Sequence, residues 1–155
     1  MEAFVPILYE QRFEAALLSF LEQCLPESGR ALELAGRHSF YLAIPQYFRA
    51  FWCMSDGETI IGTSAVKELN LEDCELKSLY LLEKYHKRGL GRALLQTAID
   101  FAKKAGYQKM YLDSLSTSNE ALALYRKMGF RDTACYHNNP HADVFMVLDL
   151  SGEGN

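Results

Sequence analysis

The residues best suited to chemistry in this chain of 155 amino acids are gathered in His86-Lys87-Arg88-Gly89-Leu90-Gly91-Arg92, between an apolar strand-like run and a segment of helical spacing. Two glycines one residue apart let a backbone approach a ligand closely, and the helix behind them offers free N–H groups and the positive end of its dipole. Those are the requirements for holding a phosphate or pyrophosphate. Lys84, Lys87, Arg88 and Arg92 add positive charge at the same place. No Gly-Lys-Ser/Thr follows, which excludes a Walker loop, and Leu94 stands where the third glycine of a dinucleotide fingerprint belongs. As a bare G-x-G the turn is also compatible with a plain strand-to-helix connection.

Other reactive residues are less informative. Cys24, Cys53, Cys74 and Cys135 lack C-x-x-C spacing and read as free thiols of a reducing compartment, so no metal is expected. The net charge is −4 and unevenly placed: residues 1–70 hold five Lys/Arg against nine Asp/Glu, whereas residues 71–155 hold eleven of each. An acidic chain of this kind is not expected to bind nucleic acid. The start, MEAFVPILYEQRFE, has no basic stretch before an apolar segment and is read as no signal peptide, giving a cytoplasmic protein whose mature form is the whole chain. No unbroken apolar run approaches the ~18 residues of a membrane span. With 49% hydrophobic residues the chain is not disordered, and its length suits one domain over 1–155.

The elements that must position the turn follow from periodicity. AFVPILY (3–9) is a first strand, demoted to an edge by Pro6. Phe13, Leu17, Phe20, Leu21 and Cys24 recur at helical spacing up to Pro26, and a second short helix is expected near 30–42. Runs 47–54 and 58–69 flank Ser55-Asp56-Gly57 as a hairpin. CELKSLYLL (74–82) is a third strand, leading through the turn into a helix with Leu90, Leu94, Ala98, Phe101 and Ala105 on one stripe and Gly106 as its stop. KMYLDSL (109–115) is the next strand, 118–128 the next helix, and 130–136 and 143–150 are two last strands joined through HNNPH. This order predicts a mixed α/β fold with a largely antiparallel sheet rather than a doubly wound one.

At this point the chain resembles the GNAT superfamily of N-acetyltransferases. That family's Arg/Gln-x-x-Gly-x-Gly/Ala turn corresponds to His86-x-x-Gly89-x-Gly91, with the leading residue changed. ELKSLYLLEKYHKRGLG matches the family's strand, loop and turn without gaps. ALALYRKMGF (121–130) is similar to its A-x-x-L-Y-x-x-x-G-F segment, and 42–66 to its second and third strands. The asparagine often found seven residues before the tyrosine is Ser118 here, with Asn119 displaced by one.

The resemblance implies a central, mostly antiparallel, twisted sheet of six to seven strands flanked by about four helices. Residues 1–70 would form the acceptor side, 71–150 the acetyl-CoA side and 151–155 a tail. It implies acetyl-CoA as cosubstrate, bound by His86, Lys87, Arg88, Gly89, Leu90, Gly91 and Arg92, with Ser118 and Asn119. Main-chain groups of Leu79, Tyr80 and Leu81 would polarise the acyl carbonyl. Glu75, eleven residues before His86, matches the spacing of a catalytic glutamate in some members, and Tyr125 matches a tyrosine that protonates the leaving thiolate. His137 and His141 are rival bases. The implied acceptor is a primary amine of a small molecule or peptide, and a homodimer is common in the family. The motif departures at His86 and Ser118 also admit a catalytically silent acyl-CoA-binding module; a toxin-type acetyltransferase of aminoacyl-tRNA is disfavoured by the acidic charge.

Overall fold

The computed structural model describes residues 4–151. Among them seven strands form one sheet in the order β1-β2-β3-β4-β5-β7-β6. The strands are β1 (Ile7–Leu8), β2 (Ala50–Asp56), β3 (Thr59–Glu68), β4 (Asp73–Leu81), β5 (Lys109–Ser114), β6 (Arg131–Asp132) and β7 (Val144–Asp149). The α-helices are α1 (Glu14–Glu27), α2 (Ile44–Tyr47), α3 (Leu90–Ala105) and α4 (Asn119–Lys127). β1 pairs antiparallel with β2, β2 with β3, β5 with β7 and β6 with β7, while β4 and β5 run parallel. The mixed, mostly antiparallel architecture is the one the element order predicts.

Several boundaries differ from expectation. Of the first strand only Ile7–Leu8 pairs, and its first residue, Ala3, lies outside the described residues. Pro26 does not end α1, which continues to Glu27; Gly29, with φ of 79°, provides the stop, and Arg30 N–H returns to the Leu25 carbonyl. The helix expected near 30–42 is a run of turns followed by a 3₁₀ turn at Ser39–Leu42 and the short α2. Strand 130–136 shrinks to Arg131–Asp132, which leaves Thr133–Asp143 as a loop.

The chain packs as two compact units, one drawn from residues up to Lys67 and from Lys77–Ala98, the other from Glu68–Leu76 and from Ile99 onward. In the first, the apolar stripe of α1 (Leu17, Phe20, Leu21 and Cys24) joins a buried cluster with Phe51, Met54, Ile61 and Leu94. Alternation is lost in β3, whose residues Ile60–Val66 are all buried, as expected of a strand covered on both faces. In the second unit, Met110 and Leu112 of β5 and Met146 and Val147 of β7 are buried across an antiparallel register that sets Asp113 opposite Phe145.

Candidate active site

In the first unit, a 3₁₀ turn (Glu83–Tyr85) follows β4 and places the glycine turn ahead of α3. Lys87 and Gly89 have φ of 65° and 79°. The left-handed region is cheap for glycine and costs a lysine about 1–2 kcal/mol, so Lys87 is held there by its surroundings. Tyr85 Oη donates to Asp56 at 2.6 Å, and the guanidinium of Arg88 lies over the rings of Phe4 and Tyr85 at 5.6 and 5.4 Å. His86 turns inward, its Nε2–H reaching the Leu81 carbonyl at 2.9 Å. Lys87, Arg88 and Arg92 are exposed around the first turn of α3, where backbone N–H groups have no carbonyl one turn earlier. The donor set therefore fits a pyrophosphate: amides, a dipole end and three cations.

β4 itself carries a departure from regular strand geometry. Ser78 sits at φ of 53°. Its carbonyl accepts from the fully buried Thr63 Oγ1 at 2.6 Å, and its hydroxyl meets Tyr41 Oη at 2.7 Å. Burial, more than the neighbouring hydroxyls, raises the Tyr41 phenol well above its ordinary range. Leu79, Tyr80 and Leu81 follow directly, all half-buried. Such an unfavourable conformation persists only where neighbours enforce it, and here two buried side chains do so.

The second unit gathers the acid–base groups. Glu75 on β4 is 4% exposed and pairs in register with Tyr111 of β5, two residues before Asp113 on the same face. The loop Thr133–Asp143 folds over them. Tyr136 Oη donates to Glu75 Oε2 at 2.5 Å, and its ring packs on Tyr111 with centroids 4.9 Å apart. Burial first and the Glu75 carboxylate second push the Tyr136 phenol far up, so it remains a donor. His137 Nε2 lies 2.6 Å from Asp113 Oδ2 and 3.6 Å from Glu75 Oε2, while Asn139 Nδ2 donates to the same Asp113 oxygen at 3.3 Å. The loop is tied down at its end, where Asp143 accepts from Ser116 N–H at 2.8 Å and Ser116 Oγ at 2.7 Å. Those Ser116 bonds hold the Asp143 carboxyl below its usual range.

Glu75, Asp113 and His137 each offer a ligand atom, all within 4.8 Å of one another, and can face a cation. A tetrahedral zinc would set neighbouring ligand atoms about 3.3 Å apart, wider than the 2.6 Å between His137 and Asp113. The spacing is that of a hydrogen-bonded network.

The sequence candidates thus divide. Glu75 and His137 come together, whereas His141 is exposed and joins the loop through its backbone N–H to Asn139 Oδ1 at 2.9 Å. Tyr125 on α4 is buried, 7% exposed, with its ring 5.8 Å from that of Phe130. Ser118 and Asn119 form the start of α4, with Leu122 N–H bonded to the Ser118 carbonyl. Asp113, Tyr136 and Asn139 were not singled out from sequence, although an aspartate inside the apolar run MYLDSL is a signal that pattern reading can use.

Residues 14–130 match the model of the acetyltransferase (GNAT) family. An uncharacterized N-acetyltransferase of Schizosaccharomyces pombe is 38% identical over 79 residues, 50% of this chain and 48% of that protein, so the chain spans about half the length of that relative. An acetyltransferase from Streptococcus agalactiae superposes with a TM-score of 0.86 at 19% identity, over 96% of this chain and 99% of that one. The yncA protein of Salmonella typhimurium, solved with acetyl-CoA as its cofactor, superposes with a TM-score of 0.74 at 18% identity, over 98% and 96%. At such identities the structures speak for the fold.

Proposed function

The chain belongs to the GNAT family of acetyltransferases, and on that premise we propose that it moves acetyl from acetyl-CoA to a primary amine of a small molecule or peptide, by direct attack in a ternary complex. The observation that carries this reading is the left-handed turn at Lys87 and Gly89 ahead of α3, a pyrophosphate cradle ringed by Lys87, Arg88 and Arg92. His86, Leu90 and Gly91 complete the backbone of the cradle, and Ser118 and Asn119 at the start of α4 are further candidates for contact with the cosubstrate.

Acetyl-CoA, when bound, supplies the acetyl group as a thioester with a thiolate leaving group. The chain's own residues supply the rest. Main-chain N–H groups at Leu79, Tyr80 and Leu81 would stabilise negative charge on the carbonyl oxygen, a fixed donor of this kind being worth about 3 kcal/mol. The kinked Ser78 sets their direction. Glu75 is one of two candidate bases with His137, but at 4% exposure and held by Tyr136 it acts only through a neighbour. Tyr125 is the proposed acid toward the departing sulfur.

The reading takes 1–155 as one working domain, cytoplasmic, as monomer or homodimer; no helix among the described residues is long and apolar enough to cross a membrane. Release of free thiol from acetyl-CoA on addition of an amine panel tests it, and no release above background with any amine contradicts it. A catalytically silent acyl-CoA-binding module is the second reading, favoured by His86, whose ring is engaged with the Leu81 carbonyl. Calorimetric CoA binding without thiol release would select that alternative.

A further inference from the structure

We infer that His137 is the group that takes the proton from the acceptor amine, with Asp113 and Glu75 as positioning residues behind it, and that the amine binds in the cavity formed by the loop around residues 135–145. The inference rests on the acetyl-transfer reading and deepens it.

Access separates the two candidate bases. The side chain of Glu75 is 5% exposed and that of His137 29%. His137 also lines a cavity of about 450 Å³ with Cys135, Asn138, Asn139, Pro140 and Phe145. That volume suits one small amine or a single peptide side chain.

Tautomer decides which nitrogen can act. The 2.6 Å contact from Nε2 to Asp113 Oδ2 places the hydrogen of a neutral ring on Nε2, since an ionised carboxylate only accepts. The lone pair is then on Nδ1, on the ring edge away from Asp113. The carboxylate oxygens of Asp113 and Glu75 lie 2.6 and 3.6 Å from that same Nε2. Asn139 fixes Asp113, and the rings of Tyr136 and Phe145, at 4.4 and 5.5 Å, fix the imidazole plane. This is the logic of a base oriented by an acid, supported by a second buried carboxylate.

The proton balance is simple. An N–H bond of the acceptor ammonium breaks and one forms at Nδ1, leaving a neutral amine with its lone pair and an imidazolium; the proton then passes to water in the open cavity. Over a full turn, ammonium and acetyl-CoA become N-acetyl amine, CoA thiol and one proton.

The test uses the full chain, acetyl-CoA and the amine that wild type turns over fastest. H137A and H137Q should lower kcat at least about a hundredfold, as loss of a general base does, with CoA affinity by calorimetry unchanged. Added imidazole should restore much of the H137A rate, and D113N should lower kcat without moving the KM for acetyl-CoA. H137Q keeps the bulk and a donor toward Asp113, so it reads the loss even if the alanine variant folds poorly. A smaller loss in both variants, or no rescue by imidazole, overturns the inference. Should wild type release no thiol with any amine, acetyl transfer itself fails, and a long-range proton–nitrogen NMR spectrum then decides on His137. Hydrogen on Nε2 with an Nδ1 signal that moves on adding methylamine supports the inference; hydrogen on Nδ1 overturns it.

Discussion

Tyr136 donates its phenolic hydrogen to Glu75 at 2.5 Å across 61 residues of chain. The bond joins the loop after β6 to a carboxylate buried on β4, and it occupies one acceptor site of Glu75 Oε2. Burial and Glu75 together push the phenol up and keep it protonated, so it stays a donor at neutral pH.

Tyr136→Phe removes this donor from a buried acceptor. A hydrogen bond to a charged group contributes about 1.5–3 kcal/mol, so denaturant unfolding should show a loss of that order together with a lower kcat. An unchanged midpoint would show that Glu75 does not depend on Tyr136.

The kink at Ser78 offers a second handle. Thr63→Val keeps the shape of a fully buried side chain and strips the donor from the Ser78 carbonyl. A cost of about 1–3 kcal/mol is expected for the unpaired carbonyl, with kcat falling more than the KM for acetyl-CoA rises. Equal effects on both parameters would argue against a role of the kink in the chemical step.

Two glycines should fail differently. At Gly89 an added Cβ meets nothing within 4 Å, but φ is 79°, so Gly89→Ala costs about 1–2 kcal/mol in backbone conformation and raises the KM for acetyl-CoA. At Gly62 a Cβ would lie 2.8 Å from Leu94 Cδ1, 3.0 Å from Leu81 Cδ1 and 3.2 Å from the Tyr80 carbonyl. Gly62→Ala should therefore destabilise through overpacking, by about 1–3 kcal/mol. Comparing unfolding and acetyl-CoA titration for the pair checks the distinction.

How much of this was legible in the sequence follows from range. The glycine turn, β4 and α3 are local features, and Gly89, Gly91 and the leucine stripe announce them. The family resemblance singles out Glu75 by the spacing to His86 at which some members carry a catalytic glutamate, and the structure buries it. His137 is a rival base from the resemblance, but Asp113 and Tyr136 escape, because they meet Glu75 and His137 only through the pairing of β4 with β5 and of β5 with β7, and no short-range pattern records that register. The expected helix near 30–42 failed for a related reason: its Leu32, Leu34 and Phe40 pack on the core without helical periodicity. The expected strand over 130–136 gave way because Tyr136 turns toward Glu75 instead of continuing beside β7.

Thiol chemistry gives a pH prediction. Burial pushes Cys24, Cys53 and Cys74 from the ordinary value of 9.0 up to about 12, while Cys135 is exposed. A folded-state pKa above the unfolded value means that the native protein holds more protons between those values, so the contribution is complete below pH 9.0 and is lost as pH rises toward 12. The urea midpoint should fall between pH 8 and roughly 10.5, and iodoacetamide should label Cys135 alone on the native protein. Labelling of the other three at neutral pH would contradict their burial.

The proposed reaction is acetyl transfer to an amine. Its most direct test is to mix the purified chain with acetyl-CoA and a panel of primary amines, follow free thiol, and identify the product by mass. Amine-dependent thiol release matched one for one by N-acetyl product is expected. CoA binding with no thiol release from any amine would contradict it.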